Sequence, residues 1–174
     1  MPNKDSVMTL RPFIHADIDS LVAMLNDENV QRFLSPKIPF PYTYEDATWW
    51  VEEGSCAGFT RAVEVDGKLV GCIGALAGVH EYQHSAEVGY WFGKEHWGQG
   101  FAQKALTLLI EEVVETSQWV RLFAMVFEGN HASVNVLQKC GFVKEGQLKN
   151  AICKNQQFFD AHIFALILNR QADE

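Results

Sequence analysis

The sequence predicts an α/β protein of the α+β type, with a mixed, mostly antiparallel sheet of about seven strands flanked by about four helices. Three observations favour this class. Strand-like runs come first along the chain, and a strand, a helix, a strand, a helix and further strands follow. Asp66-Gly67 separates two of the early runs, and this dipeptide is typical of a tight hairpin turn. Apolar residues recur at helical spacing between Ala102 and Thr116.

The first part of the chain is predicted to combine strands with short helices. A strand over residues 7–12 precedes a helix that Asp17 caps and that ends near Asn26, and residues 29–34 add a short helix. Prolines 36, 39 and 41 then impose an extended loop, because proline fixes φ and disfavours helix before itself. This loop either contacts a substrate or only connects two elements. Thr43 is expected to cap a helix that continues to about Gly54.

The rest of the chain alternates strands and helices. Strands are predicted over residues 60–65, 68–79, 85–92 and 121–127, and the helix Ala102–Thr116 precedes the last of these. Its apolar stripe consists of Ala102, Ala105, Leu106, Leu109, Ile110, Val113 and Val114. Asn130 is the expected cap of a further helix that ends at Gly141 in a left-handed conformation. Strands over residues 142–148 and 158–168 close the fold, with a turn at Lys154-Asn155.

Size, composition and charge restrict the class of protein. The 174 residues are expected to form a single domain, residues 1–174, that is long enough to bury a substantial core. A hydrophobic content of 48% and a charged content of 21% are typical of soluble globular proteins. The net charge of −8 argues against a nucleic acid as the main partner, because phosphate backbones bind basic surfaces. The same charge is compatible with a cationic acceptor such as an amine.

Neither a targeting segment nor a cysteine framework is indicated. The polar residues Asn3, Lys4 and Asp5 stand where a signal peptide would be apolar, and no apolar run reaches transmembrane length. The four cysteines show no C-x-x-C pairing of the kind found in metal sites. We therefore expect a cytoplasmic protein without a membrane partner.

Residues 97–102, which we call the glycine loop, form a candidate anion site at the start of the long helix. Gly98 and Gly100 lack Cβ, so the backbone can turn several N–H groups toward one point. These donors would join the unsatisfied N–H groups and the positive dipole end of the helix, an arrangement suited to a phosphate or pyrophosphate. An ordinary strand-to-helix turn with two glycines is the alternative.

Two other phosphate-binding motifs fit this segment poorly. A Walker loop needs Lys and Ser/Thr after its last glycine, where Phe101-Ala102 stands. A dinucleotide fingerprint needs a small residue where Gln103 stands.

His80-Glu81-Tyr82-Gln83-His84 matches the H-E-x-x-H motif of zinc peptidases letter by letter. In those enzymes both histidines lie on one helical face and the glutamate acts as base. Glycines 71, 74 and 78, set among Val, Ile and Leu, favour a strand before the motif, and a strand-like run also follows it. We therefore expect a polar turn here and no metal site.

Four motifs in order resemble the ribosomal-protein N-acetyltransferase (Rim-type) branch of the GNAT superfamily. They are Glu87-Val-Gly-Tyr-Trp-Phe, Trp97-Gly-x-Gly-x-Ala, Asn130-x-x-Ser133, and Leu137-x-x-Cys-Gly-Phe with Glu145-Gly146. Leu10-Arg11-Pro12, the segment from Pro41-Tyr42 to Asp46, and Asp160 are also similar to that branch. Trp97 departs from the family pattern, which often has Gln or Arg at this position.

The resemblance implies acetyl-CoA as co-substrate, bound in a cleft where two neighbouring strands splay apart. It places the pyrophosphate on the backbone N–H groups of Trp97, Gly98, Gln99, Gly100, Phe101 and Ala102. The pantetheine arm would run along Tyr90, Trp91 and Phe92 like an added strand. By the same pattern Asn130 reaches the pantetheine and Ser133 lies near the sulfur, and no metal takes part.

The chemistry of acetyl transfer suggests three catalytic candidates. A protonated amine cannot attack a thioester, so a base must remove its proton directly or through water. Glu87 is our candidate base, since a carboxylate between apolar neighbours has a raised pKa if it is buried. A solvent-facing glutamate on a half-exposed strand is the alternative. Ser133 is the candidate acid for the leaving thiolate, and Tyr90 is the second candidate.

The predicted activity is direct acetyl transfer to a primary amine in a ternary complex. The acceptor is a protein N-terminal α-amine or a small molecule such as a polyamine, an amino acid or an aminoglycoside. Trp49 and Trp50 either line an acceptor pocket or belong to the core. A non-catalytic acyl-CoA-binding module is the alternative function, and a zinc peptidase is a remote one.

Overall fold

The computed structural model describes residues 6–169, and its strands form one seven-stranded sheet. The strands are β1 (Met8–Arg11), β2 (Arg61–Val65), β3 (Lys68–Ala77), β4 (Ser85–Phe92), β5 (Arg121–Phe127), β6 (Val143–Lys154) and β7 (Gln157–Ile167). Their order in the sheet is β1-β2-β3-β4-β5-β7-β6. Residues 6–169 also contain five α-helices, one more than the approximate number predicted. They are α1 (Ile18–Leu25), α2 (Glu28–Gln31), α3 (Tyr44–Glu52), α4 (Phe101–Thr116) and α5 (His131–Lys139).

The pairing of the strands confirms the predicted mixed, mostly antiparallel sheet. β1 and β2, β2 and β3, β5 and β7, and β6 and β7 are antiparallel pairs. β4 and β5 are parallel, with Ser85–Glu87 in register with Arg121–Phe123. The hairpin at Asp66-Gly67 is confirmed, since both residues have the positive φ that a tight hairpin turn needs. The β6–β7 turn places Asn155 and Gln156 in the same left-handed region.

The chain divides into two compact units whose boundaries fall inside β3, β4 and α4. The first unit comprises residues 1–74 and 90–109, and the second comprises residues 75–89 and 110–174. The first contains an apolar cluster made of Phe13, Ile18, Leu21, Met24, Leu25, Val30, Tyr42, Ala47, Val51, Ala62, Leu69 and Cys72. In the second, alternate residues of β5 are buried, as are Leu137, Phe142, Ala161 and Phe164. The single domain expected for the chain stays a prediction.

The predicted stripe of α4 is largely confirmed. Ala105, Leu106, Leu109 and Val113 are fully buried, whereas Val114 is exposed. The Thr43 cap of α3 is also confirmed, because its hydroxyl accepts from the Asp46 N–H and Asp46 accepts from the Thr43 N–H in return.

Asp17 occupies the N-cap position of α1 as predicted, but its side chain does not cap the helix. The Asp17 carboxylate makes no capping bond to α1. It accepts instead two hydrogen bonds of 2.8 Å from the Arg11 guanidinium and one of 2.9 Å from the Ile14 N–H. Since the Asp17 side chain is only 4% exposed, a charged partner stabilises it more than a helix end would.

β6 is longer than predicted, because it continues beyond Leu148 to Lys154. Its register with β7 shifts between Leu148 and Ile152, and Asn150 has a φ of +52° there. Asp160 of β7 holds this bulge by accepting from the Asn150 N–H at 2.8 Å and from the Gln147 side-chain amide at 2.6 Å. The irregularity interrupts the strand pattern in the sequence, which explains why the prediction ended at Leu148.

Other boundaries differ by a few residues. α2 covers Glu28–Gln31 and begins after Asp27, whose carboxylate accepts from the Asn29 N–H.

Asn3, Lys4 and Asp5, on which the expectation about targeting rested, lie outside the described residues. No helix of the described chain is long and apolar enough to cross a membrane.

Candidate functional site

Local hydrogen bonds stabilise the segment between β4 and α4. A 3₁₀ turn over Lys94–His96 follows Gly93. The Trp97 indole N–H then donates to the Phe92 carbonyl at 2.8 Å, and the Gln99 side-chain amide donates to the Glu95 carbonyl at 3.0 Å. Gly98 and Gly100 follow with φ values of +71° and +78°. The Trp97 side chain, which departs from the family pattern, thus ties the glycine loop back to the end of β4.

The glycine loop presents consecutive backbone donors. Within residues 6–169 the N–H groups of Gly98 to Ala102 have no hydrogen-bond acceptor, and the N–H of Lys104 is bonded to the Gly100 carbonyl at 3.1 Å. A Cβ built on Gly98 or Gly100 meets no atom within 4 Å, so the space in front of the loop is open. These unpaired donors, together with the helix dipole, keep the loop a candidate anion-binding site.

The charges along α4 fit an anion at its N-terminus. Its first turn carries no acidic residue, although acidic side chains usually stabilise this position. The acidic residues Glu111, Glu112 and Glu115 lie instead in the second half of the helix. Lys104 is the cationic residue of α4, and its ammonium group donates to the Ser6 carbonyl. No acidic side chain from the first turn of α4 therefore lies at the positive end of the helix dipole.

β4 alternates between buried and accessible residues. Ala86, Val88 and Phe92 are buried, while Tyr90 and Trp91 are half-buried. The strand continues for five residues after Glu87, its last residue in register with β5. Glu87 itself is exposed, so the structure does not provide the burial on which the argument for a base depended. Glu87 therefore has the position of the alternative interpretation, a solvent-facing glutamate on a half-exposed strand.

Gly71 of β3 positions the end of β4, a role that sequence reasoning missed. A Cβ at Gly71 would lie 2.3 Å from the Trp91 carbonyl oxygen and 2.7 Å from the Phe92 ring. No side chain fits there without moving the β4 backbone. A glycine inside a predicted strand was the available signal for such a close backbone approach.

α5 has the ends that the sequence predicted. The Asn130 side-chain oxygen accepts from the Ser133 N–H at 3.2 Å, which confirms the cap. At the other end the Gly141 N–H donates to the Gln138 carbonyl and the Phe142 N–H donates to the Leu137 carbonyl, and Gly141 has a φ of +88°. These two bonds form a Schellman ending. The Asn130 amide NH₂ group has no acceptor in the described part of the chain and is available to a ligand.

The tryptophans of α3 lie in different environments. Trp49 is 54% exposed. Trp50 packs against the apolar cluster of the first unit and lies edge-on to Phe13, with 5.9 Å between the two ring centroids. Trp91 packs against the same cluster. The indole N–H of Trp50 is fully enclosed and has no acceptor among the described residues.

The H-E-x-x-H segment does not form the helix that a zinc peptidase requires. His80–Tyr82 is a single 3₁₀ turn, and His80 has a φ of +53°. The His84 ring nitrogen lies 3.4 Å from the Gln118 carbonyl oxygen. The segment is therefore the polar turn that we predicted. Between residues 6 and 169 no three His, Cys, Asp or Glu side chains are arranged to hold a metal ion.

Sequence comparisons relate the chain to a known family and to known proteins. The family described as "Acetyltransferase (GNAT) domain" matches residues 8–143. An uncharacterized N-acetyltransferase, YoaA of Bacillus subtilis (strain 168), is 26% identical over 174 residues, which cover 97% of this chain and 91% of that protein. A ribosomal-protein-serine acetyltransferase of Escherichia coli (strain K12) is 31% identical over 104 residues, which cover 60% of this chain and 58% of that protein.

The fold of the chain is also similar to that of a solved structure. The self-immunity acetyltransferase MccE of microcin C7, in complex with acetyl-CoA and AMP, superimposes with a TM-score of 0.80 at 20% identity. The superposition covers 92% of each chain.

Proposed function

The chain belongs to the GNAT acetyltransferase family, and from that membership we propose that it transfers the acetyl group of acetyl-CoA directly to a primary amine in a ternary complex. It is an N-acetyltransferase, and acetyl-CoA is its co-substrate. We propose as acceptor a protein N-terminal α-amine or a small-molecule amine. The E. coli relative that is named as a ribosomal-protein-serine acetyltransferase supports the first of these.

The unpaired donors of the glycine loop carry this proposal. Five consecutive residues, Gly98 to Ala102, offer backbone N–H groups at the N-terminus of a 16-residue helix. The pyrophosphate of acetyl-CoA supplies the negatively charged oxygens that such a group of donors binds. The open space over Gly98 and Gly100 supports the same assignment, because a phosphate must approach the backbone closely.

We assign the rest of acetyl-CoA from the family pattern. The pantetheine arm would bond to the backbone of Tyr90, Trp91 and Phe92 in β4, and the unpaired amide NH₂ group of Asn130 would donate to it. Ser133 would lie near the sulfur.

The transfer requires a proton to leave the amine. The free amine attacks the thioester carbon, the C–S bond breaks, and the amide bond forms. Glu87 stays our candidate base, and because its side chain is exposed, the amine proton would reach it through water. A backbone N–H of β4 would stabilise the oxyanion, and Ser133 or Tyr90 would return a proton to the thiolate.

Calorimetry with acetyl-CoA, followed by an assay of free thiol with a panel of amines, tests the proposal. The panel contains polyamines, amino acids, aminoglycosides and short peptides with free N-termini. We expect binding, together with thiol release that depends on one class of amine. Binding without release on any amine would favour the non-catalytic acyl-CoA-binding alternative. A failure to bind acetyl-CoA would overturn the assignment of the glycine loop.

A further inference from the structure

Lys154 is the last residue of β6, and its side chain lies over an aromatic ring. Its ammonium nitrogen Nζ is 5.9 Å from the centroid of the Phe127 ring, and the centroids of the Phe127 and Phe159 rings are 5.9 Å apart. The face of such a ring attracts a cation. Lys154 is half-buried there, whereas Lys144 and Lys149 of the same strand are exposed. β6 therefore holds one of its lysine amines against aromatic side chains.

This environment favours a reactive amine. Burial lowers the pKa of Lys154 from its ordinary range, because an ammonium group is less stable away from water. A lysine amine attacks a thioester only after it has lost its proton. At neutral pH, the fraction of the amine that is in the reactive, uncharged form is therefore larger for Lys154 than for an exposed lysine.

A tight turn connects the ring under Lys154 to the start of α5. Phe127 is the last residue of β5, and its carbonyl accepts from the Asn130 N–H at 3.1 Å. Gly129 lies between them with a φ of +85°. A hydrogen-bonded turn of four residues brings its two end Cα atoms within about 7 Å of each other. Lys154 therefore lies close to the end of α5 that carries Asn130 and Ser133, and all of these residues belong to the second unit.

We propose that the protein acetylates its own Lys154 when acetyl-CoA is bound and no acceptor amine is present. This inference rests on the proposed function, which assigns the pantetheine to Asn130 and the sulfur to the neighbourhood of Ser133. The Lys154 nitrogen attacks the thioester carbon, the C–N bond of the amide forms, and the C–S bond breaks. The ammonium group loses two protons, one to the leaving thiolate and one to solvent. Each chain then carries one acetyl amide and has released one CoA thiol.

Incubation of the full chain with acetyl-CoA in an amine-free buffer tests the inference. Mass spectrometry of the intact protein counts the acetyl groups. Peptide mapping after neutral hydroxylamine, which removes any thioester from the adjacent Cys153, locates the acetyl groups on nitrogen. We expect Lys154 to be acetylated roughly tenfold or more faster than Lys144 or Lys149, because its amine is held near the thioester. The rate per chain should not depend on protein concentration, since the transfer occurs within one molecule.

Lys154→Arg and Lys149→Arg form a matched pair of variants. Arginine keeps the positive charge, but it stays protonated and is no nucleophile near neutral pH. Lys154→Arg should lose the fast acetylation without transferring it to another lysine, whereas Lys149→Arg should be acetylated at Lys154 like wild type. An excess of CoA should slow the wild-type reaction, because it competes with acetyl-CoA for the same site. Unfolding in urea should abolish the preference for Lys154.

Failure of this inference and failure of the proposed function give different results. Equal acetylation of the three lysines of β6, a rate per chain that rises with protein concentration, or acetylation that excess CoA does not slow would overturn the inference. Mapping of the wild-type protein needs no variant, so it decides the matter even if Lys154→Arg does not fold. Protein that releases thiol with an amine but leaves Lys154 unmodified would overturn only the role of Lys154. Protein that does not bind acetyl-CoA would overturn the proposed function as well.

Discussion

Asn130 combines a structural and a proposed binding role in one side chain, and the two can be separated. Its oxygen caps α5, while its NH₂ group is available to the pantetheine arm. Asn130→Asp and Asn130→Ser both retain an oxygen that caps a helix, so the free energy of unfolding should change by less than about 0.5 kcal/mol. Acetyl-CoA affinity should fall roughly two- to tenfold in Asn130→Ser, and further in Asn130→Asp because of charge repulsion.

Calorimetry and thermal unfolding of the same samples measure both effects. If the two variants bound acetyl-CoA as tightly as wild type, Asn130 would be only a helix cap.

Glu87 is the residue on which the proposed proton transfer depends. Glu87→Gln keeps the size and polarity of the side chain and removes the base, so kcat should fall by about 10²- to 10⁴-fold with acetyl-CoA affinity unchanged. Steady-state thiol release gives kcat, and calorimetry gives the affinity. Glu81→Gln is the matched control, since Glu81 is also an exposed glutamate of the second unit. Turnover by Glu87→Gln at the wild-type rate would exclude Glu87 as the base.

At the scale of elements, Gly67 in the turn between β2 and β3 is a matched control for Gly100 of the glycine loop. Gly100 and Gly67 have φ values of +78° and +80°, and a Cβ at either position meets no atom within 4 Å. Gly100→Ala and Gly67→Ala should therefore cost a similar free energy of unfolding, on the order of 1 kcal/mol. Only Gly100→Ala should weaken acetyl-CoA binding, by tenfold or so, because its methyl group would occupy space in front of the N–H groups.

Calorimetry on the two variants side by side separates backbone strain from ligand contact. Equal acetyl-CoA affinity in Gly100→Ala and Gly67→Ala would show that the loop does not approach the ligand.

Elements whose determinants lie within a few residues were predictable from the sequence. The Asp66-Gly67 turn and both ends of α5 depend on turn and capping residues that are close along the chain, and the structure confirms them. The extension of β6 was not predictable, because Asp160 in a neighbouring strand holds its bulge. Arg11 of β1 likewise determines what Asp17 does.

The same distinction applies to the candidate site. The glycine loop was visible as a sequence motif. The contribution of Gly71 depends on the approach of the β4 backbone, which no nearby residue determines. This approach exists only after distant segments pack, and the sequence gives no more than an indirect signal of it, a glycine inside a predicted strand.

At the scale of the whole molecule, acidic residues with stabilised charges occur in both units. The pKa of Asp46 is lowered by hydrogen bonds from Thr43, and that of Asp27 by hydrogen bonds from Asn29. In the second unit, a hydrogen-bonded ion pair with Arg121 lowers the pKa of Glu145, and the Asn150 N–H and the Gln147 amide lower that of Asp160. In each case the folded chain favours the ionised carboxylate.

These shifts predict how stability depends on pH. A carboxyl group with a lowered pKa in the folded state binds protons more readily when the chain is unfolded, so protonation favours unfolding. The stabilisation is fully present above the ordinary carboxyl pKa of about 4 and is lost as the pH falls through the lower folded values. We therefore expect the Tm to decline as the pH falls from about 5 to 3. Thermal unfolding across this range measures the decline.

Asp160→Asn tests whether these carboxylates cause the decline. Asparagine can still accept the Asn150 N–H, and the Gln147 amide can turn its oxygen toward the new NH₂ group, so the β6 bulge should persist at neutral pH. One of the four groups then no longer titrates, so the Tm of the variant should fall less steeply between about pH 5 and 3 than that of wild type. A wild-type Tm that is level or rises toward low pH would contradict the sign of the lowered pKa values. A variant with the wild-type slope would remove Asp160 from the set of groups responsible.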